Sequence, residues 1–388
     1  MILYDLSYLK PIFNAVSRHP EKAAIYYKDS TVTYRELSRQ AETVAKWLYA
    51  KGLRSGNVVG ICMDVSALAS AIYLGIWMNG CVALPLCTDD PETRQSAKIK
   101  TADVKMIFAD EKYGKLFEKS GLDVVSTLDQ WKDLNKQIYE ISERIEVQPC
   151  PYAYIIFTSG TTGEPKGILN TKDNLFSHVG SYAKMCNISE QDVCLGCSPL
   201  YFDSIFEELI TPLSMGCSIV IPEDELKTDP EYLKNVIHKR QVSILSAPAP
   251  ILSLLNEYAS GGEAFSSLRV VVTGGDVLKY RDIDQLLKFT EVYNGYGLSE
   301  TTISSLWHKV EKNDRDNIPI GKPIQGKKVY LLDECMNPVK RGEIGNIYLG
   351  GQGVAVGYIN DPIMTKAKFV EDPFCEDGGR MVHTGDLG

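Results

Sequence analysis

The chain has 388 residues, 44% of them hydrophobic and 23% charged, a composition that suits a globular protein with two or three cores. Its formal net charge of -9 argues against sequence-independent nucleic-acid binding, which needs a basic face. No apolar run reaches the roughly 20 residues of a membrane span; the nearest, "VSALASAIYLGIWMNGCVALPLC", is divided by Gly75, Gly80 and Pro85. The N-terminus lacks the basic and apolar regions of a secretory leader, so a cytoplasmic monomer is the expectation. The ten scattered cysteines fit reduced, buried thiols better than a disulfide framework. Cys194 and Cys197 form a Cys-x-x-Cys, but with no second pair or histidine cluster they read as structural rather than zinc-binding.

In chain order, the first clear element is a helix over 33–52, opened by the capping-box pair Thr33 and Glu36 and closed by Gly52. Its apolar stripe is Leu37, Ala41, Val44, Ala45 and Leu48. A strand at 58–63, a helix at 67–80 and strands at 81–86 and 104–109 follow. After an apolar strand at Tyr154–Phe157, helices are expected over 171–186, 203–215, 230–240, 249–258 and 281–289. They alternate with strands at 192–197, 217–221, 242–246, 269–273 and 291–294. Buried strands separated by amphipathic helices imply parallel sheets covered on both faces. From about Lys327 the pattern changes to short strands with Gly and Pro turns. The division expected is therefore an α/β region over 1–326, in two sub-domains, and a β-rich region over 327–388.

The stretch "YIIFTSGTTGEPKGI" (154–168) carries the chemistry. Glycines after a buried strand let the backbone approach a ligand closely, and successive N–H groups there can cradle an anion. Ser159, Thr161 and Thr162 add hydroxyls and Lys166 adds a charge. The G-x-x-x-x-G-K-[ST] spacing is absent, so this is a phosphate loop of another kind, or a polar turn.

TSGTTGEPKG resembles the phosphate loop of the adenylate-forming superfamily, which includes acyl- and aryl-CoA ligases, luciferases and the adenylation domains of nonribosomal peptide synthetases. "NGYGLSE" (294–300), "GEIGNIYLGGQGVAVGYIND" and "HTGDL" (383–387) follow in the family's order. The resemblance covers nearly the whole chain. It implies a large N-terminal core of two helix-covered sheets plus a small distorted β-barrel, using ATP and Mg²⁺ to turn a carboxylate into an acyl-AMP. By the same resemblance Tyr296 stacks on adenine, Asn294 bonds its edge, Ser299 holds the α-phosphate, and Asp386 accepts from the ribose hydroxyls. Glu300 ligates Mg²⁺ with a hydroxyl from Thr161 or Thr162, while Ser159, Gly160, Gly163, Lys166 and Gly275 surround the nucleotide. Leu298-Ser299 stands where the family commonly has Pro-Thr.

"YFDSIFEELITPLSMG" points to the substrate. Asp203 and Glu207 are four apart and share a helix face. The neighbouring Ile205, Phe206, Leu209 and Ile210 are apolar, and carboxylates in such a setting want cations. Asp203 matches the aspartate that binds the α-ammonium in amino-acid-activating members. By the same offset Glu207 faces the substrate side chain, and Ser204, Ser246, Val272, Gly274, Gly295, Ile303 and Ser304 complete the pocket. An acid among small neutral walls suits lysine, ornithine or a related diamino acid. A carrier-protein thiol is the acceptor the resemblance implies. An acyl- or aryl-CoA ligase, or a silent ligand-binding module, is the competing expectation. The closing "GGRMVHTGDLG" stops in a Gly-rich turn, as in a chain cut short of a small C-terminal domain. The family's bridging lysine sits on that domain, so slow adenylation by these residues is the expectation.

Overall fold

Hydrophobic alternation resolves into three main sheets in the computed structural model, which describes residues 2–3, 6–126, 145–159, 165–260, 262–376 and 378–388. A seven-stranded sheet runs in the order Gly357–Tyr358, Pro165–Thr171, Tyr152–Ser159, Val82–Pro85, Val58–Cys62, Val104–Ala109, Asp123–Val125. A nine-stranded sheet runs Lys322–Pro323, Leu306–Lys309, Glu291–Tyr296, Val270–Gly274, Ile244–Ser246, Val193–Gly196, Ser218–Ile221, Ala23–Tyr27, Ser30–Thr33. The β-rich region is a four-stranded antiparallel sheet, Lys327–Leu332, Asn346–Gly351, Arg380–Leu387, Phe369–Glu371.

The middle strands of both large sheets are parallel, as their unbroken apolar runs require, and so is the Asp123–Val125 edge; the other edges pair antiparallel. Pro165–Thr171 turns back antiparallel along Tyr152–Ser159, pairing Ser159 with Pro165. The hydroxyl-rich loop therefore links two hydrogen-bonded strands; its Gly160, Thr161, Thr162 and Gly163 lie outside the described residues, as does the Ser159 side chain. The hairpin Ala23–Tyr27/Ser30–Thr33, which the sequence reading did not assign, adds to the nine-stranded sheet through Ser218–Ile221.

The helix Tyr34–Ala50 begins at the expected capping box and buries its expected stripe. It packs on Ala67–Met78, which is buried on every side. A Cβ on Gly75 would sit 2.6 Å from the Val44 Cβ, so this glycine permits the close crossing. Phe206, at the start of helix Ile205–Met215, lies 4.6 Å from the Tyr154 ring and 5.3 Å from Tyr73. These aromatics tie the two large sheets together beneath the candidate site.

One expected helix does not form. Residues 281–289 make two short 3₁₀ turns, Tyr280–Asp282 and Leu286–Lys288. The Asn256 side chain takes the backbone groups that a helix would pair internally. Its Oδ1 accepts from the Gln285 and Leu286 N–H groups (2.9 and 3.1 Å), and its Nδ2 donates to the Arg281 carbonyl (3.1 Å).

Candidate active site

Parallel strands present their carboxyl ends at one edge, and ligands gather there because the following loops diverge. A cavity of about 430 Å³ opens at this edge, between strands Ile244–Ser246, Val270–Gly274 and Glu291–Tyr296 and the start of helix Ile205–Met215. All nine residues expected around the amino acid line it. Asp203, Ser204 and Glu207 come from the helix start, and Ser246, Val272, Gly274 and Gly295 from the strands. Ile303 and Ser304 come from the turn after Ser299–Thr301. Gly275 and Ser299 also line it, as do Phe202 and Trp307, which the sequence reading did not single out. The helix begins at Ile205, so Asp203 lies in the turn before it rather than on it.

Burial dominates the electrostatics. It pushes Asp203 up to about 6, against hydrogen bonds from the Ser299 side chain and the Ile303 backbone. The Asp203 Oδ2 is buried and has no hydrogen-bond partner among the described residues. Glu207 is pushed up to about 8, again by burial, while Ser304 and the charge of Lys327 pull the other way. Its Oε1 contacts His178 Nε2 at 2.6 Å and accepts from Ser304 Oγ at 3.2 Å. Burial drives His178 down to about 3. At neutral pH the His178–Glu207 contact is therefore a hydrogen bond between two neutral groups sharing a proton, despite its ion-pair geometry. Beside it, Glu208 is buried and pushed up to about 7, its carboxylate held by the Ser198 N–H, the Ser198 hydroxyl and the Ser246 hydroxyl. Glu208 braces the wall rather than facing the ligand space.

The turn carrying Ile303 is strained. Thr302 and Ile303 both have positive φ, +59° and +63°, which β-branched residues rarely adopt. Lys327 holds it in place: its buried Nζ donates to the Thr301 and Thr302 carbonyls. The Thr302 hydroxyl, in turn, lies 2.8 Å from Asn170 Oδ1 and 2.7 Å from the Gly353 carbonyl, and its one proton is donated to one of these two acceptors. Burial lowers Lys327 to about 7, with Asp203 and Glu207 opposing.

The residues expected on the nucleotide side come from separate elements. Asn294 Nδ2 donates to the Pro319 carbonyl (3.0 Å), which leaves its Oδ1 as an acceptor. The Tyr296 hydroxyl donates to Asp386 Oδ2, bringing the expected adenine and ribose residues together. Glu300 is buried and its Oε1 accepts from the Tyr358 hydroxyl at 2.6 Å. Lys166 Nζ lies 5.9 Å from the centre of the same tyrosine ring. Tyr358 was invisible as a partner because it sits 58 residues away. His178 did carry a signal: it shares the buried stripe of helix Lys172–Met185 with Leu175, Val179 and Tyr182.

The model of the AMP-binding enzyme family matches residues 12–359. The chain belongs to the AMP-binding enzyme family. Among curated relatives, bacitracin synthase 2 of Bacillus licheniformis is 31% identical over 371 residues, which is 95% of this chain and 14% of that protein. The chain thus spans about a seventh of that relative's length. Of solved structures, the AMPPNP-bound form of the nonribosomal peptide synthetase FmoA3 superposes with a TM-score of 0.88 at 25% identity, covering 98% of this chain and 41% of that one. The N-terminal subdomain of Klebsiella oxytoca NpsA, in complex with 3-hydroxybenzoyl-AMSN, has a TM-score of 0.85 at 23% identity and covers 97% and 93%. The fold of this AMP-binding chain is that of the N-terminal core of a nonribosomal peptide synthetase adenylation domain, the α/β architecture expected from its sequence. No helix among the described residues is long and apolar enough to cross a membrane, and all ten cysteines are free.

Proposed function

We propose that this AMP-binding chain activates an α-amino acid with ATP, forming aminoacyl-AMP and pyrophosphate, and that its substrate is a diamino acid such as lysine or ornithine. The observation behind the substrate class is a pair of buried carboxylates on one cavity, Asp203 and Glu207, each with an oxygen that no donor among the described residues reaches. Buried carboxylates are stable as anions only beside cations. Asp203 would take the α-ammonium and Glu207 the distal one. The aminoacyl group would pass on to a carrier-protein thiol.

In this arrangement the substrate carboxylate is turned toward Ser299 and the Gly274-Gly275 wall. One of its oxygens attacks the α-phosphorus in line; the new O–P bond forms as the α–β phosphoanhydride bond breaks and pyrophosphate leaves. The chain need supply no nucleophile: it positions two reactants and balances charge. Tyr296, Asn294 Oδ1 and Asp386 would hold the nucleoside, Ser299 the α-phosphate, and Lys166 the distal phosphates. Mg²⁺ commonly binds through one or two carboxylates plus substrate phosphates. Glu300, buried and with one oxygen fixed by Tyr358, fits that role with Thr162, and the bound ion would screen phosphate charge.

A second reading follows from the burial that pushes Glu207 up to about 8 beside a neutral His178. A protonated Glu207 would instead donate to a neutral polar side chain. Calorimetric titration with AMP-PNP, and then with hydrolysis-resistant aminoacyl-sulfamoyl adenosines, tests both. Lysyl or ornithyl analogues should bind at least about tenfold tighter than norleucyl, the scale of one charge-assisted hydrogen bond. A preference for apolar side chains overturns the diamino-acid assignment. Unchanged binding of aminoacyl analogues to Asp203→Ala would favour a ligase for acids without an α-ammonium.

A further inference from the structure

Both protein groups that reach Glu207 reach the same oxygen. His178 Nε2 lies 2.6 Å from Oε1, and Ser304 Oγ lies 3.2 Å from it. No hydrogen bond among the described residues reaches Oε2, and Glu207 lines the cavity. His178 is fully buried and does not itself line that space. It stacks on Tyr182 (centroids 6.3 Å apart), whose ring lies 5.9 Å from that of Trp307 in the cavity wall. The imidazole is thus fixed from behind, and through it the carboxyl group.

We propose that His178 is a specificity-determining positioning residue: with Ser304 it occupies one oxygen of Glu207, leaving the carboxylate a single acceptor that fits a compact distal ammonium and not a guanidinium. The inference rests on the diamino-acid reading of this same site. A guanidinium binds a carboxylate best through two parallel N–H···O bonds and needs both oxygens. An ammonium is a point charge and needs one. The site therefore separates lysine or ornithine from arginine by the way the acid is held, and from norleucine by the acid itself. The charged groups facing this carboxyl are Asp203 from the turn before its helix, Glu208 beside it, and Lys327 from the β-rich sheet. None of them occupies Oε2.

The experiment is calorimetric binding of lysyl-, arginyl- and norleucyl-sulfamoyl adenosine to the wild-type chain and to His178→Leu, His178→Gln and Ser304→Ala. The wild type should favour lysyl over arginyl by about tenfold or more, the scale of one charged hydrogen bond. His178→Leu leaves Oε1 only the longer Ser304 contact and should bring that ratio to within about threefold, with AMP-PNP binding unchanged. The amide nitrogen of His178→Gln reaches about as far as Nε2 and should restore much of the ratio, which a loss of packing alone would not explain. Ser304→Ala should shift the ratio the same way by less, and it carries the test if His178→Leu does not fold. A wild-type chain that binds lysyl and norleucyl analogues alike overturns the diamino-acid reading and this proposal with it. A lysyl-over-arginyl ratio unchanged in both His178→Leu and Ser304→Ala overturns the proposal alone.

Discussion

The elevated pKa of Glu207 turns substrate selection into a pH-dependent quantity with a definite sign. Burial pushes this group up to about 8. A distal ammonium binds the ionised form, so binding at neutral pH must expel a proton to solvent. With a pKa of about 8, roughly one carboxyl in eleven is ionised at pH 7 and one in a hundred at pH 6. The lysyl-to-norleucyl affinity ratio should therefore rise about tenfold from pH 6 to 7, about 1.4 kcal/mol, then about fivefold from 7 to 8, and level off above that. Taking the ratio cancels the α-amine, which both ligands share. Lys327, lowered to about 7, loses its charge over the same range; that relieves repulsion of the ammonium but removes a pull that ionises Glu207, so the two effects oppose, while Asp203 at about 6 acts on both ligands alike. His178 stays neutral throughout, and Glu208, near 7, faces its serines rather than the ligand.

The assay is calorimetry at pH 6, 7, 8 and 9, at each pH in two buffers of different ionisation enthalpy, so that proton release is counted directly. At pH 7 close to one proton should leave per lysyl analogue bound, and Glu207→Gln should abolish both the release and the slope. A flat ratio from pH 6 to 9 would refute the argument. So would a ratio that falls with pH.

Glu207→Gln should also stabilise the ligand-free chain, increasingly so as pH rises. The folded pKa of Glu207 lies above its ordinary 4.5, so its burden on stability is absent below about 4.5, grows as pH rises, and is complete above 8. The melting-temperature gain of the variant should follow that window. Gly295→Ala places a Cβ 2.7 Å from the Trp307 ring; the displaced indole should weaken aminoacyl-analogue binding about tenfold or more while altering AMP-PNP binding less, by calorimetry. Tyr358→Phe removes the hydroxyl that fixes Glu300 Oε1 and should raise the Mg²⁺ concentration needed for half-maximal AMP-PNP binding by about threefold to tenfold, the worth of a hydrogen bond to a charged group. Asn256→Ala should cost about 1–3 kcal/mol in denaturant unfolding, since it leaves the Gln285 and Leu286 N–H groups without their acceptor.

What could be read from the chain follows the range of the forces involved. The helix at Tyr34–Ala50 was legible to its first residue because Thr33 and Glu36 cap it locally. The shared cavity of Asp203 and Glu207 was expected from a common helix face, but Asp203 sits in the turn before the helix and reaches the cavity from there. The failed helix at 281–289 was not legible, because the competitor is an amide about thirty residues upstream. The strand Pro165–Thr171 was hidden by the loop before it, whose glycines and hydroxyls drew the reading toward chemistry and away from pairing. Lys327 looked like the start of an ordinary surface strand. Its partners, the Thr301 and Thr302 carbonyls, become acceptors only because that turn takes positive φ, which nothing in Thr-Thr-Ile-Ser announces.

That turn also explains how two buried acids can line one cavity. Strained backbone persists only where its surroundings over-determine it, and here they do: Asn170, Gly353 and Lys327 each fix Thr301 or Thr302. Rigidity matters because the desolvation of Asp203 and Glu207 is borne by the fold before any ligand arrives. If the turn could relax, water would reach the two acids and their pKa values would fall toward ordinary ones. The distal ammonium would then exchange one hydrated carboxylate for another, with little gain. Held as they are, the acids would meet the dication of the proposed function as unsatisfied buried groups, and selectivity would be the relief of that condition. Lys327 joins the β-rich sheet to the pocket wall, so the discriminating power of the cavity depends on a residue that never touches its contents.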